Sequence, residues 1–196
     1  SALLNQAAQI IEQRQRGQDY LTESSHPMIG QQSCIVFTKK CRTAAILSLV
    51  LREIGIPNVS LHSKIKQSLR LSNLQKFRQG LVQVLIATDV AARGLDIPHV
   101  SCVINYDLPY NVEDYVHRIG RTARANRSGM SISFVTQYDT EKIKAIEDYT
   151  KVTMTQFSVN EDFVVEDIRN ITEVKNLSQL RYEEQQEHEL ASKGCD

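Results

Sequence analysis

The 196-residue sequence has no tryptophan, few prolines and glycines, and no apolar run near the roughly 18 residues of a membrane-spanning helix. No basic segment followed by an apolar one opens it, so no signal peptide is readable. Together these absences predict a soluble, intracellular protein with no membrane partner. The four cysteines, Cys34, Cys41, Cys102 and Cys195, form no C-x-x-C pair. Three of them stand in apolar surroundings, which predicts reduced core thiols and excludes a zinc site or a disulfide framework; no metal ligand set is expected. There are no internal repeats or low-complexity tracts, and the 41% hydrophobic and 23% charged fractions are those of a globular chain large enough to bury an ordinary core.

Net charge is also lacking, but the zero hides an asymmetry. Residues 1–160 hold 19 Lys+Arg against 13 Asp+Glu, a balance of +6, whereas residues 161–196 hold 4 against 10, a balance of −6. The body is mildly basic and the tail acidic. A mild positive excess permits polyanion binding without demanding it, because affinity depends on where the charges lie.

What is present is an alternation of strand and helix signals. Leu3, Leu4, Ala7, Ala8, Ile10 and Ile11 recur at helical spacing before Gly17, which predicts an amphipathic helix over residues 2–16. Residues 17–33 lack periodicity and read as a loop. Strands are expected at 35–37, 59–61, 82–87, 101–105 and 131–135. Between them, helices are expected at 39–54, from an N-cap at Ser63 to Gln79, from an N-cap at Asn111 to about 121, and from an N-cap at Asp139 to about 150. Helices of that length between strands imply crossover connections and a parallel sheet of at least five strands covered on both faces, an α/β fold. Beyond Lys151 the rhythm changes. Phe163, Val164, Ile168, Ile171, Val174 and Leu177 have helical spacing, and the polar stretch 181–189 is expected to fray. The expected organisation is a body over 1–152 and a helical extension with an acidic tail over 153–196.

Polar residues crowd after two of the apolar runs. Ala87-Thr-Asp-Val-Ala-Ala-Arg-Gly-Leu-Asp-Ile-Pro98 follows one, and His117-Arg-Ile-Gly-Arg-Thr-Ala-Arg124 comes after Val100-Ser-Cys-Val-Ile-Asn105. Loops leaving the carboxyl ends of parallel strands are where such sheets bind ligands, so a shared site is expected there. Its residues suit phosphate: an Asp or Thr at the turn, Gly94 for close backbone approach, and four arginines between Arg118 and Arg127.

These stretches, with Val103-Ile-Asn-Tyr-Asp-Leu-Pro109 between them, closely resemble motifs V, Va and VI of the DEAD-box ATP-dependent RNA helicases. Cys34-Ile-Val-Phe-Thr38 resembles motif IV, and Gln67-x-x-Arg70-x-x-x-Leu74-x-x-Phe77-Arg78-x-Gly80 resembles motif IVa. Order and spacing match over about residues 33–136. No G-x-x-x-x-G-K-[ST] phosphate loop and no Asp-Glu-Ala-Asp occurs, so the chain resembles the second, C-terminal half of such a helicase. The resemblance implies a RecA-like three-layer fold, ATP as the nucleotide with Mg²⁺ held mainly by the first domain, and a monomer whose partners are RNA, that N-terminal RecA-like domain and a protein cofactor. Hydrolysis would need both domains, so this chain alone is expected to be inactive.

The resemblance also assigns residues. Arg121 and Arg124 would contact the γ-phosphate, Arg124 as the arginine finger, a device that contributes roughly 10³ to 10⁵ in rate in phosphoryl transfer. His117 and Arg118 would couple ATP to RNA and to the other domain. Gly94 and Arg93 would lie at the domain interface and nucleotide, and Asp96 would accept from the ATP ribose. Thr38, Lys39, Arg70, Thr88 and Asp89 would meet the RNA backbone, which predicts salt-dependent, sequence-tolerant binding. No row of exposed aromatics indicates base stacking.

Two departures from the family pattern stand out. Ala123 and Asn126 replace glycines of motif VI, and Ser63 follows His62 where glycine is usual. They motivate an alternative, a non-catalytic RNA-binding or protein-docking module; a DNA-directed helicase is a third reading. Thr136-Gln-Tyr-Asp139, Ala145-Ile-Glu-Asp148 and Phe157-Ser-Val are similar to the subgroup acting in small ribosomal subunit assembly, which implies pre-ribosomal RNA and the nucleolus.

Overall fold

The computed structural model describes residues 9–14, 33–122, 129–157 and 161–193. In chain order these form β1 (Gln9–Arg14), β2 (Cys34–Thr38), α1 (Cys41–Glu53), β3 (Asn58–Leu61), α2 (Gln67–Arg78), β4 (Val84–Thr88), α3 (Asp89–Ala92), β5 (Cys102–Asn105), α4 (Val112–Ile119), β6 (Met130–Val135), α5 (Thr140–Thr150), β7 (Thr155–Phe157) and α6 (Glu161–Lys193). The strands make one sheet in the order β3-β4-β2-β5-β6-β1-β7. The first five are mutually parallel, whereas β1 runs antiparallel to both β6 and β7.

Residue-by-residue register builds the core. Ile35 lies beside Leu85 and Val103, and Val36 beside Ile86 and Ile104. Successive side chains of a strand point to opposite faces, so each face acquires its own apolar rows. On one face Ile35, Phe37, Leu85 and Val103 pack with Leu74 and Phe77 of α2. On the other, Val36 and Ile86 pack with Ala44, Leu47 and Leu51 of α1. Burying one side chain of this size contributes roughly 1.5–3 kcal/mol. The outcome is the expected RecA-like α/β arrangement of helix, parallel sheet and helix.

Four expectations for local structure are corrected in whole or in part. Residues 9–14 are strand, not part of a helix: all six pair with β6, and Ile10 to Glu12 also pair with β7. Two ladders from distant sequence outweigh a helical apolar spacing in a run that includes two β-branched isoleucines. Residues 2–8 and 15–32, assigned above to the helix and the loop, lie outside the described residues. Helix α2 starts at Gln67, with Lys66 as its N-cap, because Ser63 belongs to a preceding turn where its Oγ meets Cys41 Sγ at 3.2 Å. Asp139 stands at the N-cap of α5 as expected but makes no side-chain cap hydrogen bond; its carboxylate accepts from the Thr136 N–H and hydroxyl and from Lys142 Nζ. The polar stretch 181–189 does not fray but continues α6, which is held on α1 by buried Ser178 and Tyr182 and by the ion pairs Arg42–Glu183 and Arg181–Glu53. Asn111 does cap α4, accepting from Asp114 N–H at 2.9 Å.

Candidate functional site

Strands β2, β4 and β5 end side by side, Thr38 level with Thr88 and Phe37 with Asn105. One cation ties these three exits together. Arg118 of α4 is 2% exposed. Its Nε and Nη2 donate to the two carboxylate oxygens of Asp89 at 2.6 and 2.7 Å. Its Nη1 donates to Asn105 Oδ1 at 3.0 Å and to the Asp107 carbonyl at 2.7 Å. The guanidinium lies 5.0 Å from the Phe37 ring centre. Asp107 in turn accepts from the Lys39 backbone N–H at 2.9 Å. A planar fork with two parallel bonds to a carboxylate is the geometry arginine offers and lysine cannot.

Arg118 was expected to face another domain, and here the structure corrects the sequence. A side chain this buried, with a carboxylate, an amide and a carbonyl all within reach, is an internal tie. Asp89, expected on RNA, is engaged by Arg118. Thr38 is fully buried, its hydroxyl turned to the Lys40 carbonyl at 3.4 Å. Thr88 differs: its hydroxyl is buried with no hydrogen-bond partner, a group that gains by meeting an acceptor. Beside it, Arg70 bridges α2 and α3 by donating to Gln67 Oε1 at 2.8 Å and to the Ala91 carbonyl at 3.2 Å.

The chain leaving α3 carries a second group of residues. Gly94 has φ +75°, a left-handed turn that swings the backbone away from the helix at little cost for glycine. Arg93 is exposed and pairs with Asp114 at 2.9 Å. The Asp96 side chain is 95% exposed, yet its backbone is held: Arg78 Nε donates to the Asp96 carbonyl at 3.0 Å and Nη2 to its carboxylate at 3.0 Å. Arg78 thus positions Asp96, a part the sequence did not disclose because the partners are on separate elements. The i, i+18 spacing carries no local signal.

The expected shared crowding at strand exits holds only in part. Helix α4 runs back along β5, about 12 Å for eight residues, so its end meets the start of β5. There the Arg121 carbonyl accepts from Val100 N–H at 3.0 Å and from His99 Nδ1 at 3.1 Å, and the Thr122 hydroxyl donates to the Val100 carbonyl at 2.8 Å. Arg121 is partly exposed and His117 exposed. A Cβ on Gly129 would lie 2.2 Å from Thr122 Oγ1, so the returning chain needs glycine there. Arg124, Ala123 and Asn126 lie outside the described residues. The described site residues therefore fall into two groups, Thr38, Lys39, Arg70, Thr88 and Asp89 near the exits, and Arg93, Gly94, Asp96, His117 and Arg121 spread along the segment from α3 to the end of α4; Arg118, on that helix, is tied to the first group through Asp89.

Burial and environment shift two groups here. His62 is held below the usual histidine range by burial, then by Lys64 and Arg70. Lys39 is lowered first by burial and next by Lys142. Among the described residues no group of three or more His, Cys, Asp and Glu converges on a metal position. No helix among them is long and apolar enough to cross a membrane.

Residues 20–126 match the family described as the helicase conserved C-terminal domain. Over 154 residues the chain is 50% identical to the ATP-dependent RNA helicase DBP8 of Mycosarcoma maydis, a match covering 78% of this chain and 29% of that protein. The solved C-terminal domain of the DEAD-box protein Dbp5 is 40% identical with a TM-score of 0.57, covering 62% of this chain and 72% of that one. Domain 2 of the DEAD-box helicase Mss116p, solved bound to an RNA duplex, is 26% identical with a TM-score of 0.61, covering 77% and 65%. The chain spans about three tenths of the length of the first curated relatives it matches.

Proposed function

The chain belongs to the DEAD-box RNA helicases, as their second, C-terminal helicase domain, and from that premise we propose that the full-length protein unwinds RNA duplexes or remodels RNA–protein complexes while hydrolysing ATP. In this reading the exit group takes the RNA backbone: the Thr88 hydroxyl and nearby N–H groups, Lys39 and Arg70 meet phosphates, which gives affinity without sequence preference. The other group takes the nucleotide when the first domain closes. Asp96 accepts from the ribose, Arg121 and Arg124 donate to the γ-phosphate, and His117 and Arg93 meet the first domain, which supplies Mg²⁺.

The observation that carries this reading is the Arg118 tie. It joins the loop bearing Thr88 to the helix bearing His117 and leading to Arg121. A ligand that orders one group stabilises the same arrangement of the other, so ATP and RNA raise each other's affinity. RNA-stimulated ATP hydrolysis by the full-length protein tests it. Arg124→Ala is expected to lower turnover roughly 10³-fold or more, and this chain by itself to hydrolyse no ATP. Turnover equal in variant and parent supports the docking-module reading instead, and preference for DNA in competition supports the DNA-directed one. The short matches after Thr136 favour pre-ribosomal RNA as substrate and the nucleolus as location. Crosslinking of the full-length protein to cellular RNA tests that part: recovery without enrichment of pre-ribosomal RNA counts against it.

A further inference from the structure

The row of strand exits does not stop at β2. In sheet order it continues from β4 and β2 to β5 and β6, four strands spanning about 14 Å at the usual spacing near 4.8 Å. Beyond Lys39 lies an open hollow of about 200 Å³ between the start of α4 and α5, lined by Pro109, Tyr110, Val112, Lys142, Ala145 and Ile146, with Glu141 and Asn111 also on its wall. The volume is below the roughly 300 Å³ at which drug-sized pockets begin and suits one ring system. Tyr110 is 82% exposed, an amphipathic ring left open to solvent. Lys39 Nζ sits 4.7 Å from the centre of that ring, and Lys142 stands on the wall of the same hollow.

Of the charges around it, two ammonium groups and three carboxylates, two of the carboxylates are already engaged by hydrogen bonds. Asp107 is occupied by the Lys39 backbone N–H, and Asp139 by the Thr136 N–H and hydroxyl and by Lys142 Nζ at 2.5 Å. Burial first and then the Lys142 ammonium push the proton affinity of Lys39 down, against an opposing pull from Asp107 and Asp139, so a phosphate beside Lys39 favours its charged form. Glu141 marks the side from which a phosphate is repelled.

We propose that this hollow is an additional nucleotide subsite: Tyr110 stacks the base of the residue next to the one held at Thr88 and Lys39, and Lys39 with Lys142 receives the phosphate joining them. The assignment rests on the RNA-helicase reading above and adds Tyr110 and Lys142 to its contacts. Stacking on an aromatic ring is tolerant of base identity and is lost with the ring, whereas a lysine contact registers in the salt dependence.

The experiment uses the full-length helicase with a non-hydrolysable ATP analogue and fluorescent oligouridylates of graded length. Tyr110→Ala is expected to weaken binding of a ten-nucleotide RNA roughly 5- to 10-fold, and Tyr110→Phe to leave it at the parent value. Lys142→Ala is expected to weaken it and to reduce the slope of log affinity against log salt by about one. RNA carrying 5-iodouracil is expected to crosslink to Tyr110. Parent-like RNA binding by both alanine variants, or a Tyr110→Phe loss equal to that of Tyr110→Ala, overturns the subsite while leaving the helicase reading intact. The same holds if Tyr110→Ala affects only capture of a protein. Failure of the parent itself to bind RNA sinks the helicase reading and this subsite with it.

Discussion

Arg118 and Arg121 belong to one eight-residue motif, yet they inhabit opposite environments. The first is buried with every acceptor around it filled; the second is partly exposed at the end of α4, anchored through its backbone carbonyl. The same contrast separates Asp89, gripped at both oxygens, from Asp96, whose side chain is almost wholly exposed while its backbone is pinned by Arg78. The difference teaches that a charged motif is built in two layers. One layer is folded machinery that fixes loops; the other is presented outward and is expendable for folding.

The most severe way to break that distinction is at Arg118. Arg118→Met is expected to destabilise the fold by about 3–5 kcal/mol, because it leaves Asp89 partly buried without its cation. Denaturant unfolding measures it; a loss under 1 kcal/mol (about the worth of an exposed pair) would place Arg118 in the outward layer. Next comes Gly129→Ala, which drives a methyl into Thr122 and is expected to cost about 1–3 kcal/mol through the Thr122 to Val100 contact. The midpoint of thermal unfolding reads that loss.

Thr88→Val sharpens the comparison from the other side. Its hydroxyl has no partner to lose, so stability is expected to hold or rise by less than about 1 kcal/mol while RNA affinity falls. Paired unfolding and RNA-binding titrations separate the two effects. His62 adds a dependence on pH. Its pKa is depressed in the folded state, so the unfolded chain binds the proton more readily; stability is full above about pH 6.5, the ordinary histidine value. It declines as pH falls below that value, and His62→Gln is expected to flatten the slope between pH 7 and 5. Smallest of all, Arg93→Ala removes an exposed pair with Asp114 and is expected to alter stability by less than about 1 kcal/mol, leaving its consequence to ATP turnover.

The parallel heart of the sheet was legible because each of its strands is a short apolar run bounded by turn residues; the order and register of β2 with β4 and β5 were not, since no local signal sets them. Nor was the strand at Gln9–Arg14. Its conformation is imposed by β6 and β7, more than a hundred residues away, and nothing within the run outweighs its helical spacing. The site was half legible for the same reason. Side chains presented to solvent, such as Arg93, Asp96 and, in part, Lys39 and Arg121, are marked by motif and type. For side chains held by a distant partner the motif marks the residue but not the partner: Arg78 meets Asp96, and Arg118 meets Asp89, Asn105 and Asp107. Arginine's usual exposure points the wrong way for a guanidinium surrounded by acceptors.

Strand β1 lies between β6 and β7, so the sheet's outer margin is woven from both flanks of the described chain. A cut after Lys151 would strip β7 and bare the N–H and C=O row of β1, an invitation to edge-to-edge pairing. The margin also works as a mechanical seam. A pull on the chain ahead of Gln9 loads the strand to which both β6 and β7 are zipped, so tension entering this lobe is felt first along those two ladders.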